Sequence, residues 1–237
     1  VATVDEEDGM RTVTATNVAD PTLQHSNTFR MVHGIPMMSV VTSERFDFLN
    51  ANITYKAGDI IVVSYPKCGT TWTEQCVLLL LNQGNNDVMN PASKNTYIPG
   101  SNTLGKIWPE ATVNVDPALE DKGDLEFKPI TLEDFNNAPA RRVIKSHARV
   151  EQLLGCNGEG LACIPEGVKV LVVSRNPLDA CVSSYYHAFN PHKCGWTFEA
   201  WAAVWLEGHV RFGDYFEWVR DWHRDAASHS DKGMWLQ

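Results

Sequence analysis

The sequence predicts an α/β protein with a single domain, built on an open parallel sheet that is flanked by helices. Three short runs have the near-continuous Val and Ile content of strands that are covered on both faces: Ile60–Ser64, Arg142–Lys145 and Lys169–Ser174. The first and third runs lead directly into helical segments, and strands that alternate with helices are typical of a parallel sheet. In such sheets, ligands bind beyond the carboxyl ends of the strands.

The first 30 residues are rich in Thr, Asn and Asp, and they include an acidic run from Asp5 to Asp8. Polar segments of this kind bury too little apolar surface to hold a fixed structure. We therefore expect a flexible acidic arm over residues 1–30 and one folded domain over residues 31–237.

Helices are predicted directly after the first and third strands. The first spans Thr71–Asn82, with Gly84 as its C-terminal stop, and the second spans Pro177–Phe189. Asn176 can cap the second helix, and proline suits the first position of a helix.

Two aromatic-rich helices are predicted near the end of the chain, over Phe198–Leu206 and Asp214–Arg224. Their tryptophans recur at helical spacing, which favours packing in the core over a stacking surface. These tryptophans are Trp201, Trp205, Trp218 and Trp222. Residues 85–117, in contrast, are rich in Asn, Pro and Gly without clear periodicity, which is typical of an active-site lid or a mobile surface segment.

The composition limits the classes of function. Of 237 residues, 43% are hydrophobic, which is enough for a sizeable core, and the net charge of −9 argues against a general nucleic-acid binder. The acidic start does not resemble a signal peptide, and the longest apolar run, Cys76–Leu81, is far too short for a membrane helix.

The six cysteines show no metal-binding spacing. We expect reduced thiols in a cytoplasmic protein, although Cys156 and Cys163 could pair.

The stretch YPKCGTTW joins the first strand to the first helix and has the composition of an anion site. Gly69 allows a tight turn with inward-facing N–H groups, the helix adds its positive end, and Thr70 and Thr71 offer hydroxyl donors. A capped helix after a turn is the alternative, and Lys67 favours the anion site over it. The loop is not a Walker A motif, because the lysine precedes its only glycine.

The other two strands also end in residues that could bind or react. Lys145 and His147 follow the second strand, and Arg175 follows the third, with Ser183 eight residues further along a helix. An arginine with a nearby hydroxyl can hold a terminal phosphate. Since the carboxyl ends of parallel strands share one edge of the sheet, we expect these side chains to meet in one site.

The motifs YPKxGTTW and RNPxDxxVS together resemble those of the cytosolic sulfotransferases, which use 3′-phosphoadenosine 5′-phosphosulfate (PAPS) as donor. The resemblance runs from about His33 to the end of the chain, through HGIPM, VIKSH and FEAWAAVWLEGHVRFGDYFEWVRDWH. It implies the sulfotransferase fold, transfer of a sulfuryl group to a small acceptor, and adenosine 3′,5′-bisphosphate (PAP) as product.

The resemblance also implies a role for each matching residue. Trp72 would lie against the adenine, Arg175 and Ser183 would bind the 3′-phosphate, Lys145 would assist the transferring group, and His147 would be the base. The 5′-phosphosulfate would be held by the preceding loop residues, which are Lys67, Cys68, Gly69, Thr70 and Thr71. Lys67 would also stabilise the leaving oxygen. No metal is required by this chemistry.

The sequence departs from the family pattern at three places. Cys68 stands where the family usually has serine, and a thiol is the poorer hydrogen bonder. Counting from Arg175 selects Ser183 for the 3′-phosphate, whereas counting back from the tyrosines selects Ser184, and we prefer Ser183. The chain stops at GMWLQ, before the family's closing segment, so it is expected to be a truncated or a natural short form.

Cys68 carries a hypothesis of its own. A thiol beside Lys67 and at a helix N-terminus is expected to have a lowered pKa and to be reactive. An inert replacement for serine is the alternative.

The most direct interpretation is a PAPS-dependent sulfotransferase that acts on a phenol, alcohol, steroid or catecholamine. One alternative is a relative that binds PAPS or PAP without catalysis, because the closing segment is missing. A nucleotide kinase is another, although the Walker A order and magnesium carboxylates are absent. The predicted partner is a small molecule, with neither nucleic acid nor membrane, and a homodimer stays open.

Overall fold

The computed structural model describes most of the chain. The described residues are 2–16, 24–38, 41–84, 107–114, 130–139, 141–187 and 196–237. Most of the segment predicted to be a lid, and the end of the helix predicted to reach Phe189, lie outside these ranges.

A four-stranded antiparallel sheet forms the beginning of the chain. Its strands follow one another in space as in sequence: β1 (Ala2–Glu7), β2 (Met10–Thr16), β3 (Gln24–Val32) and β4 (Ile35–Met37). Asp8 and Gly9 both have positive φ, at 50° and 73°, as the two-residue turn between right-twisted strands requires. The described part of residues 1–30 thus forms strands, where the sequence analysis expected a flexible arm.

One face of this sheet is apolar and packs against the hydrophobic core. Val13 and Phe29, on one face, are almost completely buried, whereas Thr12 and Thr28 pair across the exposed face through their hydroxyl groups. The alternation of polar and apolar residues therefore has the period of a strand. The polar residues of this alternating pattern are the ones that led to the expectation of a solvated arm.

A second sheet is fully parallel and lies at the centre of the fold. Its strands run in the spatial order β10 (Gly233–Leu236), β9 (Lys169–Val173), β5 (Ile60–Ser64) and β8 (Val143–Ser146). This confirms the predicted α/β class and all three predicted strands, whose ends agree with the prediction to within one residue. The edge strand β10 was not predicted. Two short strands, β6 (Val113–Asn114) and β7 (Ile130–Thr131), pair separately.

Helices pack around the central sheet. They are α1 (Ser43–Asn52), α2 (Thr70–Leu81), α3 (Pro109–Thr112), α4 (Leu132–Asn137), α5 (Pro177–His187), α6 (Phe198–Leu206) and α7 (Tyr215–Ser228). Short 3-10 turns occur at Val150–Gln152 and Gly160–Cys163. Helix α6 packs against β1, β2 and α5, and its Trp205 meets the ring of Tyr65, directly after β5, at 6.0 Å. The predicted tryptophans of α6 and α7 are all in the core.

The amino-terminal edge of the central sheet contains a buried ion pair. Arg142 and Asp59 have no exposed side-chain surface, and the guanidinium makes several bonds to the carboxylate. Its remaining N–H groups donate to the carbonyl oxygens of Phe135 and Thr54, both at 2.7 Å. The two buried charges are thereby paired and hydrogen-bonded, at the edge of the sheet opposite the candidate site.

Cys156 and Cys163 form a disulfide, so the prediction of reduced thiols is wrong for this pair. Glycines at positive φ, including Gly158 and Gly160, turn the chain back on itself and place the two Cα atoms 5.3 Å apart. That separation suits a disulfide.

Candidate active site

A cavity of about 580 Å³ opens beyond the carboxyl ends of β5, β8 and β9. The structure brings the predicted residues of all three strand ends to this cavity, with one exception that is described below. Its lining includes Lys67, Gly69, Thr70, Thr71, Trp72, Lys145, His147, Arg175, Ser183 and Ser184.

The loop between β5 and α2 has a backbone shape that leaves N–H groups available. Lys67 and Gly69 have φ of 70° and 100°, and the second of these values strongly favours glycine. Gly69 is the N-cap of α2 and provides no side-chain cap to the first turn. Thr70 shares a hydrogen bond with Ser64, which fixes the helix start to the end of β5. The uncapped N-terminus therefore offers backbone donors and the positive end of a 12-residue helix.

Three cationic side chains line the cavity around this loop. Burial, followed by the charges of Lys145 and Arg175, lowers the pKa of Lys67. Arg175 donates from Nη1 to the carbonyl oxygen of Lys67 at 3.0 Å, and the Tyr215 hydroxyl donates to the Arg175 carbonyl oxygen. Mutual repulsion among these cations is relieved when an anion binds between them. In a chain of net charge −9, such local crowding of positive charge indicates an anion site.

His147 follows β8 and is buried, with 6% of its surface exposed. Its Nδ1 lies 2.6 Å from the carbonyl oxygen of Ser64; since a carbonyl only accepts, Nδ1 carries the proton and Nε2 keeps its lone pair. Burial, and then the charge of Lys145, lower the pKa of His147 well below its ordinary value. The rings of Trp108 and Phe212 meet the imidazole edge-on at 5.1 and 5.3 Å. The side chain is thus a neutral, fixed imidazole at neutral pH.

Helices α2 and α5 also contribute side chains to the lining of the cavity. Trp72 is 73% exposed at the start of α2, where an aromatic ligand could stack on it. Ser183 is half-buried and Ser184 is buried, and both line the cavity beside Arg175. The geometry keeps both serines as candidates for the same ligand group.

Cys68 is the exception among the predicted residues. Its side chain is 3% exposed and is not part of the cavity lining. Burial raises its pKa to about 12, an effect that outweighs the nearby charge of Arg175. The hypothesis of an acidified thiol is therefore wrong: proximity to a cation does not lower the pKa of a group that has lost its solvation.

Several lining residues were missed by the sequence analysis. They come from the residue after HGIPM, from the aperiodic section, from the end of α5, and from the turn before α7: Met38, Trp108, His187, Val210, Arg211 and Phe212. None belongs to a strand end with a charged motif, and only the fold brings them together. The lining thus combines the cations of the strand ends with apolar side chains, of which Trp108 and Phe212 contact His147.

Fold and cavity together define an α/β protein with a cationic site beyond its strand ends, and known proteins of this kind match it. The model of the sulfotransferase domain matches residues 57–236. The chain belongs to the sulfotransferase family, which confirms the resemblance seen in the motifs. Sulfotransferase 1B1 of Mus musculus is 27% identical over 207 residues, which cover 84% of this chain and 58% of the relative. The chain thus spans less than two thirds of that relative's length.

Two solved structures share the fold. Mouse sulfotransferase SULT7A1, complexed with PAP, has a TM-score of 0.58 and 22% identity, covering 88% of this chain and 61% of its own. Retinol dehydratase, in a complex with retinol and PAP, has a TM-score of 0.56 and 20% identity, covering 90% and 62%. Among the helices that the structure describes, none is long and apolar enough to cross a membrane.

Proposed function

We propose that the protein transfers a sulfuryl group from PAPS to a hydroxyl or amine of a small acceptor. The observation that carries the proposal is the meeting of Lys67, Lys145, Arg175 and His147 in one cavity, beside the uncapped N-terminus of α2. A donor with a phosphosulfate and a separate phosphate offers anionic groups to the three cations Lys67, Lys145 and Arg175. The structures of SULT7A1 and retinol dehydratase, both with PAP, support this choice of nucleotide.

The residues of the cavity fit the donor. The backbone N–H groups of the loop and the hydroxyls of Thr70 and Thr71 would hold the 5′-phosphosulfate, and Trp72 would lie against the adenine. Arg175 with Ser183, rather than Ser184, would hold the 3′-phosphate. When bound, the donor supplies an activated sulfuryl group whose phosphate oxygen takes the bonding electron pair on transfer.

Lys67 and Lys145 act on the charge that develops during transfer. Lys67 lies on the loop where the leaving oxygen would become negative, and it would stabilise that oxygen. Burial and the charge of Lys145 lower the pKa of Lys67, which means that they destabilise its ammonium form. An anion that binds beside this ammonium therefore stabilises it. Lys145 stands in the same cavity with its Nζ 4.3 Å from the centre of the Trp108 ring. From there it would assist the transferring group.

His147 is the proposed base. Its Nε2 lone pair would take the proton of the acceptor while the bond between the acceptor oxygen or nitrogen and sulfur forms. The bond from Nδ1 to the Ser64 carbonyl fixes the ring and its tautomer. The cavity also has apolar lining residues, which would contact the acceptor: Met38, Trp108, Val210 and Phe212. Such a lining suits an aromatic or steroid-like acceptor. Retinol dehydratase, solved with retinol, is a neighbour with an apolar ligand.

The test is transfer of labelled sulfate from PAPS to a panel of phenols, alcohols, steroids and amines. His147→Ala should abolish transfer while the protein still binds PAP, and Lys67→Ala should reduce kcat far more than PAP affinity. Labelling of no acceptor, with PAP still bound, would instead identify a binding relative without catalysis. Phosphate transfer from ATP would identify a nucleotide kinase. A cytoplasmic location and a homodimer stay predictions.

A further inference from the structure

Glu110 is a buried carboxylic acid that the proposed mechanism does not use. It lies in α3, is 1% exposed, and accepts a hydrogen bond through Oε1 from the hydroxyl of Ser146. Ser146 is the last residue of β8, between Lys145 and His147. A carboxyl group in this position costs solvation energy, so its contacts require an explanation.

The hydrogen bond continues toward the base. Ser146 Oγ accepts from the backbone N–H of Ala148 at 3.0 Å while it donates to Glu110. The residues on both sides of His147 are therefore fixed by one hydroxyl group, which Glu110 orients. Without Glu110, that hydroxyl would rotate freely and the turn that carries His147 would lose one of its constraints.

The segment that carries Glu110 also runs along β8. The Lys145 N–H donates to the Ile107 carbonyl oxygen at 2.7 Å, and Ile107 makes a parallel bridge to Ile144. Trp108, two residues before Glu110, meets the His147 ring edge-on and lies under the Lys145 ammonium. One strand end is thus held from two sides by the same short segment.

We propose that Glu110 is a positioning residue for sulfuryl transfer: through Ser146 it holds the turn that carries His147, and it keeps Trp108 against His147 and Lys145. The inference rests on the proposed function of His147 as the base. It concerns geometry and assigns no proton transfer to Glu110.

The charge of Glu110 is not needed for this role. Burial raises its pKa to about 7, while the bond from Ser146 and the charges of Lys145 and Arg45 act in the opposite direction. Either form of the carboxyl accepts from the Ser146 hydroxyl, through a carboxylate oxygen or through the carbonyl oxygen of the neutral acid. Glutamine retains such an oxygen and alanine does not.

The experiment compares Glu110→Gln, Glu110→Ala, Ser146→Ala and the double alanine variant, with the exposed Glu133→Ala as control. Glu110→Ala and Ser146→Ala should each lower kcat by about tenfold to a hundredfold, as small misplacements of reacting groups do. Glu110→Gln should keep most of kcat, and the double variant should lose no more than either single one. PAP affinity should be unchanged throughout.

A second measurement does not depend on activity. The Nδ1 proton of His147, observed by NMR, should exchange with solvent faster in Glu110→Ala and Ser146→Ala than in the parent, Glu110→Gln and Glu133→Ala. Loss of kcat in Glu110→Gln equal to that in Glu110→Ala would overturn the proposal, since charge would then be the property required. Unchanged His147 exchange in Glu110→Ala would also overturn it, even if the protein proved to transfer no sulfate.

Discussion

Replacing Arg175 with alanine should separate two nucleotides that differ only in a 3′-phosphate and in the group at the 5′ end. Arg175 lies in the cavity with 42% of its side chain exposed, and its Nη1 donates to the Lys67 carbonyl oxygen. The Asp179 carboxylate is 4.0 Å from its Nε, an exposed contact that contributes little. The guanidinium therefore has two roles in the proposed complex: it binds the 3′-phosphate, and it supports the loop that carries Lys67.

The magnitude follows from these two interactions. A charge-assisted hydrogen bond to the phosphate contributes about 1.5–3 kcal/mol, and the bond to the neutral Lys67 carbonyl about 0.5–1.5 kcal/mol. The second contribution is lost for any ligand of the loop, whereas the first is lost only for a ligand with a 3′-phosphate. Affinity for PAP should thus fall roughly ten- to a hundredfold more than affinity for adenosine 5′-phosphosulfate, which lacks that phosphate.

Isothermal titration at fixed ionic strength measures both affinities. Arg175→Lys is the matched variant, because lysine keeps the charge but cannot bind phosphate in a bidentate way. It should give a loss of PAP affinity between those of the parent and Arg175→Ala. Arg224→Ala, at an exposed position of α7, should change neither affinity. Equal losses for the two nucleotides in Arg175→Ala would refute the assignment and leave Arg175 as a support of the loop alone.

Three further predictions concern other residues. Because the pKa of His147 is lowered, the imidazole stays neutral and kcat should hold as the pH falls below 6.5; a rate that halves at or above pH 6.5 would contradict this. Cys68, with its pKa raised to about 12, should react with iodoacetamide at neutral pH more slowly than the half-buried Cys76, as peptide mapping would show; faster labelling of Cys68 would contradict its burial. Arg142→Met should lower the free energy of unfolding by about 3–5 kcal/mol, because it leaves Asp59 buried and unpaired, whereas a urea-unfolding change below about 1 kcal/mol would mean that water reaches the carboxylate.

The strands around the site could be predicted because their determinants are local. Burial on both faces requires a run such as IIVVS, and the charged residues that follow each run must then share one edge of the sheet. The motif around Lys67 adds glycine at the one position where a φ of 100° is required. The N-terminal strands also had a local sign in the dipeptide Asp8-Gly9, which is typical of a two-residue hairpin turn. The prediction of a flexible arm rested on the acidic composition alone.

Other features depend on contacts that are distant in sequence. The disulfide of Cys156 with Cys163 needs the turn between them, and the burial of Cys68 needs the core around it. Glu110 lies in an aperiodic section, so nothing in its own neighbourhood relates it to Ser146.

The sequence by itself determined the α/β class, the order of strands and helices near the site, and the residue types of the proposed anion site and base. These follow from apolar periodicity and from chemistry at strand ends, which are properties of short segments. Only the tertiary structure decided which nitrogen of His147 is protonated, that Cys68 is excluded from the cavity, and that Glu110 bonds to Ser146 beside His147. Solvation, hydrogen-bond direction and pKa depend on every neighbour within a few ångströms, and most of those neighbours come from other parts of the chain.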